Sequence, residues 1–302
     1  MSKLIAIIGP TASGKTRRAV DLSKVIDAEI ISGDSRQVYS GMDLGTGKDI
    51  EEYGDIPVHL IDIRPAGYKY NLHEFLKDYY STIENINSRN KNVILCGGTG
   101  LYIESVLSGI QLPEVPENKK LRESLQNKTI EELTEILKGY KTLHNQTDID
   151  SCKRAIRAIE IQDYYRQNPF AYQNSQRSFA SQPDALIIGI DIPRDVRRNR
   201  ISDRLKIRFE NGMLEEVCGL LDSGIPSDDL IYYGLEYKYI TKHIIGELSY
   251  DEMYHQLEIA IHQFAKRQMT WFRGMERRGF NINWFPYDLS KEEFISECLS
   301  LL

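Results

Sequence analysis

The residues Gly9-Pro10-Thr11-Ala12-Ser13-Gly14-Lys15-Thr16 constrain the fold of this chain more than any other stretch. They fit the pattern GxxxxGK[ST]. They follow the apolar, β-branched run Lys3 to Ile8 and lead into a helix-forming stretch from Gly14 to about Ile26. Each residue type has a physical task. Glycines let backbone N–H groups turn inward as an anion nest, the helix N-terminus adds its dipole, Lys15 adds a point charge, and the Thr16 hydroxyl can ligate Mg²⁺. A chance glycine turn carrying a lysine would lack the strand before it or the helix after it, and both are present. The loop predicts binding of a nucleotide or another di- or triphosphate, without specifying ATP.

The rest of the chain supports a sheet around this loop. Ala28 to Ser32 reads as a second strand, Val58 to Ile63 as a third, Asn71 to about Asn90 as an amphipathic helix, and Asn92 to Cys96 as a fourth strand. Strands alternating with helices predict a parallel sheet covered on both faces. After Pro113 and Pro116 the strand pattern gives way to charged helical patterns, with a capping box at Thr129 and Glu132. The polar segment Gln173 to Gln182 reads as a loop, and Ala185 to Ile190 restores a strand. Beyond it the chain reads as mostly helical, with a second capping box at Ser249 and Glu252 before a helix reaching about Arg273. The expected fold is therefore α/β: a P-loop NTPase-like parallel sheet flanked by helices, with an all-helical insertion domain. A chain of 302 residues accommodates this as a core over 1–115 and 183–302 with an insertion over 116–182.

Two further loops should meet the phosphate loop. Ligands of open α/β sheets bind at the carboxyl ends of the strands, which is where Asp34-Ser35-Arg36-Gln37 leaves the second strand. Asp34 and Ser35 can face the phosphate there, or can cap a helix. Spacing alone leaves both open. The fourth strand ends in Gly97-Gly98-Thr99-Gly100-Leu101-Tyr102 at the same edge.

These loops, in this order, resemble the tRNA dimethylallyltransferase family, the isopentenyl-transferases that modify the adenosine next to the anticodon. The resemblance lies in Gly9 to Thr16, Asp34-Ser35-x-Gln37-Val38-Tyr39, Asp43-x-Gly45-Thr46, His59-Leu60-Ile61-Asp62, Gly97 to Tyr102, Arg157-Ala158-Ile159-Glu160 and Ala265-Lys266-Arg267-Gln268-x-Thr270-Trp271-Phe272-Arg273. It spans residue 4 to about 274. The resemblance implies that the P-loop holds the diphosphate of dimethylallyl diphosphate and that the acceptor is N6 of adenosine 37 in tRNAs reading codons that begin with U. It implies Asp34 as general base, with Lys15, Thr16-ligated Mg²⁺ and Arg204 on the departing diphosphate. It places Thr99 where the substrates meet, and implies tRNA contacts at Asp34, Ser35, Arg36, Gln37, Thr99, Arg122, Lys153, Arg154, Ala155, Ile156 and Arg157. The chain departs from the family pattern at Val58-His59, where two histidines are common. It departs again at Gly234-Leu-Glu-Tyr237-Lys238, where Gly-Tyr-Lys is common. The second stretch touches tRNA in the family.

Charge has to be read by position. The total of 38 Lys+Arg against 44 Asp+Glu, a net charge of -6, argues on average against a nucleic-acid partner. The average conceals three basic clusters. Seven basic residues and two acidic ones lie between Arg194 and Arg208, with Arg200, Arg204 and Arg208 on one helical face. Lys153, Arg154 and Arg157 form the second, and Lys266, Arg267, Arg273, Arg277 and Arg278 the third. Such clusters fit a phosphate-rich partner. Trp271, Phe272 and His59 are expected as packed residues. Cys96, Cys152, Cys218 and Cys298 lack CxxC spacing, so neither a zinc finger nor a disulfide framework is expected. No leader or membrane span is evident, and a cytoplasmic monomer is expected. The competing readings are a P-loop small-molecule kinase, a prenyltransferase acting on free AMP or ADP, and, more distantly, a non-catalytic RNA-binding protein.

Overall fold

The computed structural model describes residues 4–110, 112, 114–143, 147–170 and 183–302. Lys3, Pro113 and the segment Gln173 to Gln182 lie outside the described residues. The chain divides into two compact units, one of 1–108 with 182–302 and the other of 109–181.

The first unit is built on a parallel six-stranded sheet in the order β4-β2-β6-β1-β7-β8. Its strands are β1 (Leu4–Ile8), β2 (Ala28–Ser32), β4 (Val58–His59), β6 (Asn92–Gly97), β7 (Ala185–Asp191) and β8 (Ile282–Pro286). Continuous apolar runs such as Leu4 to Ile8 suit strands covered by helices on both faces, and all five of those side chains are buried. The register sets Ile5 between Ile94 and Leu186, and Ile7 between Cys96 and Ile188. The strand expected over 58–63 is cut short. Leu60 and Asp62 take φ of 62° and 56°, which turns the chain so that β5 (Arg64–Pro65) pairs instead with β3 (Tyr39–Ser40).

The expectation of helices beyond residue 190 missed β8. This edge strand joins β7 where Gly189 faces Trp284, and a Cβ on Gly189 would strike that indole ring.

Helices cover the sheet: α1 (Lys15–Ile26), α2 (Leu72–Ser88) and α3 (Gly100–Leu107) before the insertion. In the second unit lie α4 (Lys119–Leu125), α5 (Ile130–Lys138) and α6 (Cys152–Gln167). These pack around Leu125, Leu133, Leu137, Ala155, Ala158 and Ile159, and the Thr129–Glu132 capping box starts α5. The first unit then adds α7 (Arg194–Glu210), α8 (Met213–Asp222), α9 (Ser227–Tyr232), α10 (Leu235–Ile244), α11 (Tyr250–Arg277) and α12 (Lys291–Ser300). Capping boxes open α11 at Ser249–Glu252 and α12 at Ser290–Glu293. Among the described residues no helix is long and apolar enough to cross a membrane. His59, at the sheet edge, sets Nε2 2.6 Å from Glu29 Oε2, a packed role as expected.

Candidate active site

The carboxyl ends of β1, β2 and β6 open onto one cleft of about 520 Å³ within the first unit. From β1 the chain enters the glycine loop, whose last turn is left-handed at Gly14 (φ 87°), a conformation that favours glycine, before α1 begins at Lys15. Thr11, Lys15 and Thr16 line the cleft, while Gly9, Pro10 and Ser13 are buried behind it. The Ser13 hydroxyl is buried and has no hydrogen-bond partner among the described residues. Tyr53 lies near Thr16, and burial pushes its hydroxyl far up in pKa, so it stays protonated.

From β2 the chain continues as a loop over 33–38 without forming a helix, which removes the capping alternative for Asp34 and Ser35. The two strand ends approach so closely that a Cβ on Gly97 would run into the backbone of Gly33. Gly33 N–H donates to Cys96 O at 2.7 Å, and Thr99 N–H to Gly33 O at 3.3 Å. That contact brings the two loops' side chains together. The Thr99 hydroxyl donates to Asp34 Oδ1 at 3.3 Å and accepts from Ser35 N–H at 3.0 Å. Behind them Ser32 donates to Gln37 Oε1 at 2.8 Å, and Gln37 Nε2 donates to Gly47 O at 3.1 Å.

Gln268, within the Ala265-Lys266-Arg267-Gln268 stretch, is not among the residues expected at the site. It is nearly buried on α11, where its Oε1 accepts from Thr11 N–H at 2.8 Å and its Nε2 donates to Gly98 O at 2.8 Å. One amide thus fastens the glycine loop to the Thr99 loop. The signal available in sequence was a glutamine set among the core positions Ala265, Met269 and Phe272.

The loop 43–49 adds Gly45, Thr46 and Gly47 to the lining. Glu216 on α8 accepts from the backbone N–H groups of Asp43, Leu44 and Gly45 at 2.9, 2.7 and 3.1 Å, and Tyr237 O–H donates to the same carboxylate at 2.6 Å. Tyr237 belongs to the stretch that departs from the family pattern, and its ring leaves no room for a Cβ on Gly45. On α7, Arg204 reaches Asp49 and Gly47 O. Arg36 lies over the Tyr232 ring at 5.4 Å and also lines the cleft.

Leu101, Ile261, Phe264 and Trp271 supply apolar lining. Phe272 is core, as expected, but Trp271 is not: it is 40% exposed and packs over Gly100 at the cleft. Two adjacent aromatics on a helix point in directions about 100° apart, so both cannot face the same core.

The helical unit treats the expected tRNA-contacting residues unequally. Lys153 and Arg154 are exposed, and Arg154 pairs with Asp150. Ala155 is fully buried in the core of that unit, and Ile156 packs half-buried against it. Arg122 and Arg157 converge on Glu160, which is 1% exposed and also accepts from Asn118 N–H at 2.6 Å. Burial pushes the Glu160 carboxyl up, but Arg122, Arg157 and the Asn118 N–H more than offset it, and its pKa falls below the ordinary value.

A carboxyl depressed in the fold adds stability above its unfolded value of about 4.3, and that stability is lost as pH falls through the folded value. Glu160→Gln is therefore expected to lower the melting temperature of the full chain at pH 7, a cost of roughly 2 kcal/mol. The gap between variant and parent should narrow between pH 7 and pH 3, as pH falls below the unfolded value and towards the lower folded one. A gap of equal size at both pH values would mean that charge has no part in it.

Three comparisons fit this geometry. The profile of the IPP transferase family matches residues 37–275. The chain is 58% identical over 303 residues to tRNA dimethylallyltransferase 2 of Phocaeicola vulgatus, covering 99% of this chain and 97% of that one. It is 48% identical over 282 residues to tRNA dimethylallyltransferase 1 of Geotalea daltonii, covering 93% and 90%. The crystal structure of the full-length tRNA isopentenylpyrophosphate transferase of Bacillus halodurans aligns with a TM-score of 0.72 at 30% identity, covering 100% of this chain and 95% of that one.

Proposed function

We propose, from the premise that this chain belongs to the IPP transferase family, that it is a tRNA dimethylallyltransferase. It moves a dimethylallyl group from dimethylallyl diphosphate to N6 of adenosine 37 in tRNAs reading codons that begin with U. The observation that carries this reading is one cleft lined by Asp34 and Thr99 together with Lys15, Thr16 and Arg204. A proton acceptor beside an anion cradle is what alkylation of an amine with an anionic leaving group requires.

The exocyclic amine of adenine is a weak nucleophile because its lone pair is delocalised into the ring. Asp34 accepts the N6 proton as that lone pair bonds to the allylic C1. The C1–O bond breaks, and its electron pair leaves with the diphosphate. Thr99 holds the carboxylate in line through Oδ1. The glycine-loop N–H groups, Lys15 and Arg204 receive the charge of the leaving group. Leu101, Ile261, Phe264 and Trp271 give the hydrocarbon an apolar wall and keep water from the allylic carbon.

The oxygen donors fit a hard cation. Thr16 would hold it, and among the described residues no group of three His, Cys, Asp or Glu side chains could hold a metal, so other ligands would come from phosphate oxygens and water, as Mg²⁺ prefers. Bound there, Mg²⁺ supplies charge neutralisation for the diphosphate.

A base in a tRNA loop must leave its stack to reach Asp34. We assign tRNA contacts to Asp34, Ser35, Arg36, Gln37 and Thr99 in the cleft, and to Arg122, Lys153, Arg154 and Arg157 on the helical unit. The enzyme acts as a cytoplasmic monomer. The test is incubation with labelled dimethylallyl diphosphate, Mg²⁺ and total tRNA, followed by individual purified tRNAs. Label should enter only tRNAs with adenosine 37 that read U-initial codons. Label in free AMP in preference to tRNA, or in none of them from folded protein, would overturn the assignment.

A further inference from the structure

Arg208 lies one turn beyond Arg204 on α7 and lines the same cleft. Its side chain is 12% exposed, and its buried Nη2 has no hydrogen-bond partner among the described residues. Asp49 Oδ1 stands 3.7 Å from Nη2, beyond hydrogen-bond reach, and Asp49 is already held by Arg204. Both guanidinium groups press on Gly47, where an added Cβ would collide with each. Burial, and then Arg204, lower the pKa of Arg208, while burial raises that of Glu236 in the same lining against the pull of Arg208. A buried guanidinium N–H without an acceptor is unfavourable until an anion completes it. The cleft lining is cationic as well: among its charged residues, Lys15, Arg36, Arg204, Arg208 and Arg267 outnumber Asp34 and Glu236.

We propose that Arg208 is a second guanidinium of the diphosphate subsite, its Nη2 donating to a phosphate oxygen of the prenyl diphosphate beside Arg204. The assignment rests on the function proposed above. Diphosphate is favoured over an RNA phosphate because Arg208 shares Gly47 with Arg204 and shares one cavity with Lys15 and Thr16. In sequence Arg208 is visible only as the last member of a basic run. Its unpartnered nitrogen separates it from Arg200, whose guanidinium lies over the Tyr287 ring at 4.7 Å.

The experiment measures calorimetric binding of inorganic pyrophosphate to the full chain with Mg²⁺ present, alongside KM for dimethylallyl diphosphate and for tRNA. Arg208→Met keeps the aliphatic stem and removes the donors. It should weaken pyrophosphate binding and raise KM for dimethylallyl diphosphate by about tenfold or more, with KM for tRNA within about twofold of the parent. Arg208→Lys should recover part of the loss. If Arg208→Met proves unfolded by its melting curve, Arg208→Gln and Arg208→Lys carry the same measurement. Unchanged pyrophosphate affinity in a folded variant overturns the assignment. A rise confined to KM for tRNA also overturns it and moves Arg208 to the RNA backbone. Pyrophosphate binding needs no prenyl transfer, so a parent protein that binds pyrophosphate but transfers nothing would sink the proposed function and leave the role of Arg208 measurable.

Discussion

Asp34→Asn should lower the rate of prenyl transfer to tRNA by about a thousandfold, because a positioned general base contributes on the order of 10²–10⁴ and little else in the cleft can replace it. Asparagine is the sharper variant, since its Oδ1 can still accept from the Thr99 hydroxyl, which donates to Asp34 Oδ1 at 3.3 Å. The Ser35 N–H to Thr99 contact at 3.0 Å does not involve the substituted group. Geometry is thus retained while proton acceptance is lost. Pyrophosphate affinity should stay within a few-fold of the parent, as the anion cradle is formed by other residues. Asp34→Ala should abolish transfer similarly, with some added disorder at Thr99. Single-turnover transfer with saturating tRNA reads the chemical step directly. An Asp34→Asn protein that transfers at the parental rate would remove Asp34 as base. A loss matched by equal loss of pyrophosphate binding would mean that the carboxylate organises the cradle.

Much of this site could be read from the chain because its parts are local. The glycine loop, its flanking strand and helix, and the capping boxes at Thr129 and Ser249 are all set by residues within a few positions of each other. The three strand ends converge because parallel strands carry their loops to one edge, a rule of topology that needs no contact information. What stayed hidden depends on partners far apart in sequence. Gln268 gains its role from Thr11 and Gly98, and Glu216 gains its role from the N–H groups of 43–45. Neither pairing leaves a local trace. The over-long third strand failed for a different reason. Residues 58–63 have strand composition, and only the left-handed turns at Leu60 and Asp62 end the pairing. Leucine rarely adopts this conformation, whereas aspartate is one of the residue types enriched in it.

The charge balance shows the same dependence on placement. A net charge of -6 suggested no polyanion partner, yet the cleft lining carries five cations against two carboxylates. On the helical unit the opposite correction applies. Arg122 and Arg157 count as two positive charges in the sequence, but the buried Glu160 between them offsets one. Arg154 is likewise paired, with Asp150, so the sequence run overstates the free positive charge of this unit.

Lys48→Met should produce the largest loss of stability among single changes near the cleft, and a loss of activity with it. Lys48 is 1% exposed, and its ammonium uses its donors on Tyr39 O at 2.6 Å, Asp43 Oδ1 at 2.6 Å and Asp62. Methionine fills the same space with no donor, so the Tyr39 carbonyl is left buried without this partner. The two carboxylates fare better, because Asp43 and Asp62 are 59% and 37% exposed and water can take them. The expected cost is therefore about 2–3 kcal/mol, below the 3–5 of a fully buried pair broken on one side. Activity falls because Lys48 ends the rim that places Gly47 under Arg204 and beside Gln37. A displacement of an ångström there can cost about a hundredfold in rate. The double variant Lys48→Met with Asp62→Asn separates the charge contribution from packing. If the ammonium–carboxylate pair contributes, the two changes together should destabilise by less than their sum in melting experiments on the full chain. Strict additivity, with Lys48→Met melting as the parent does, would show that the loop holds its shape without Lys48, leaving Glu216 as its principal anchor.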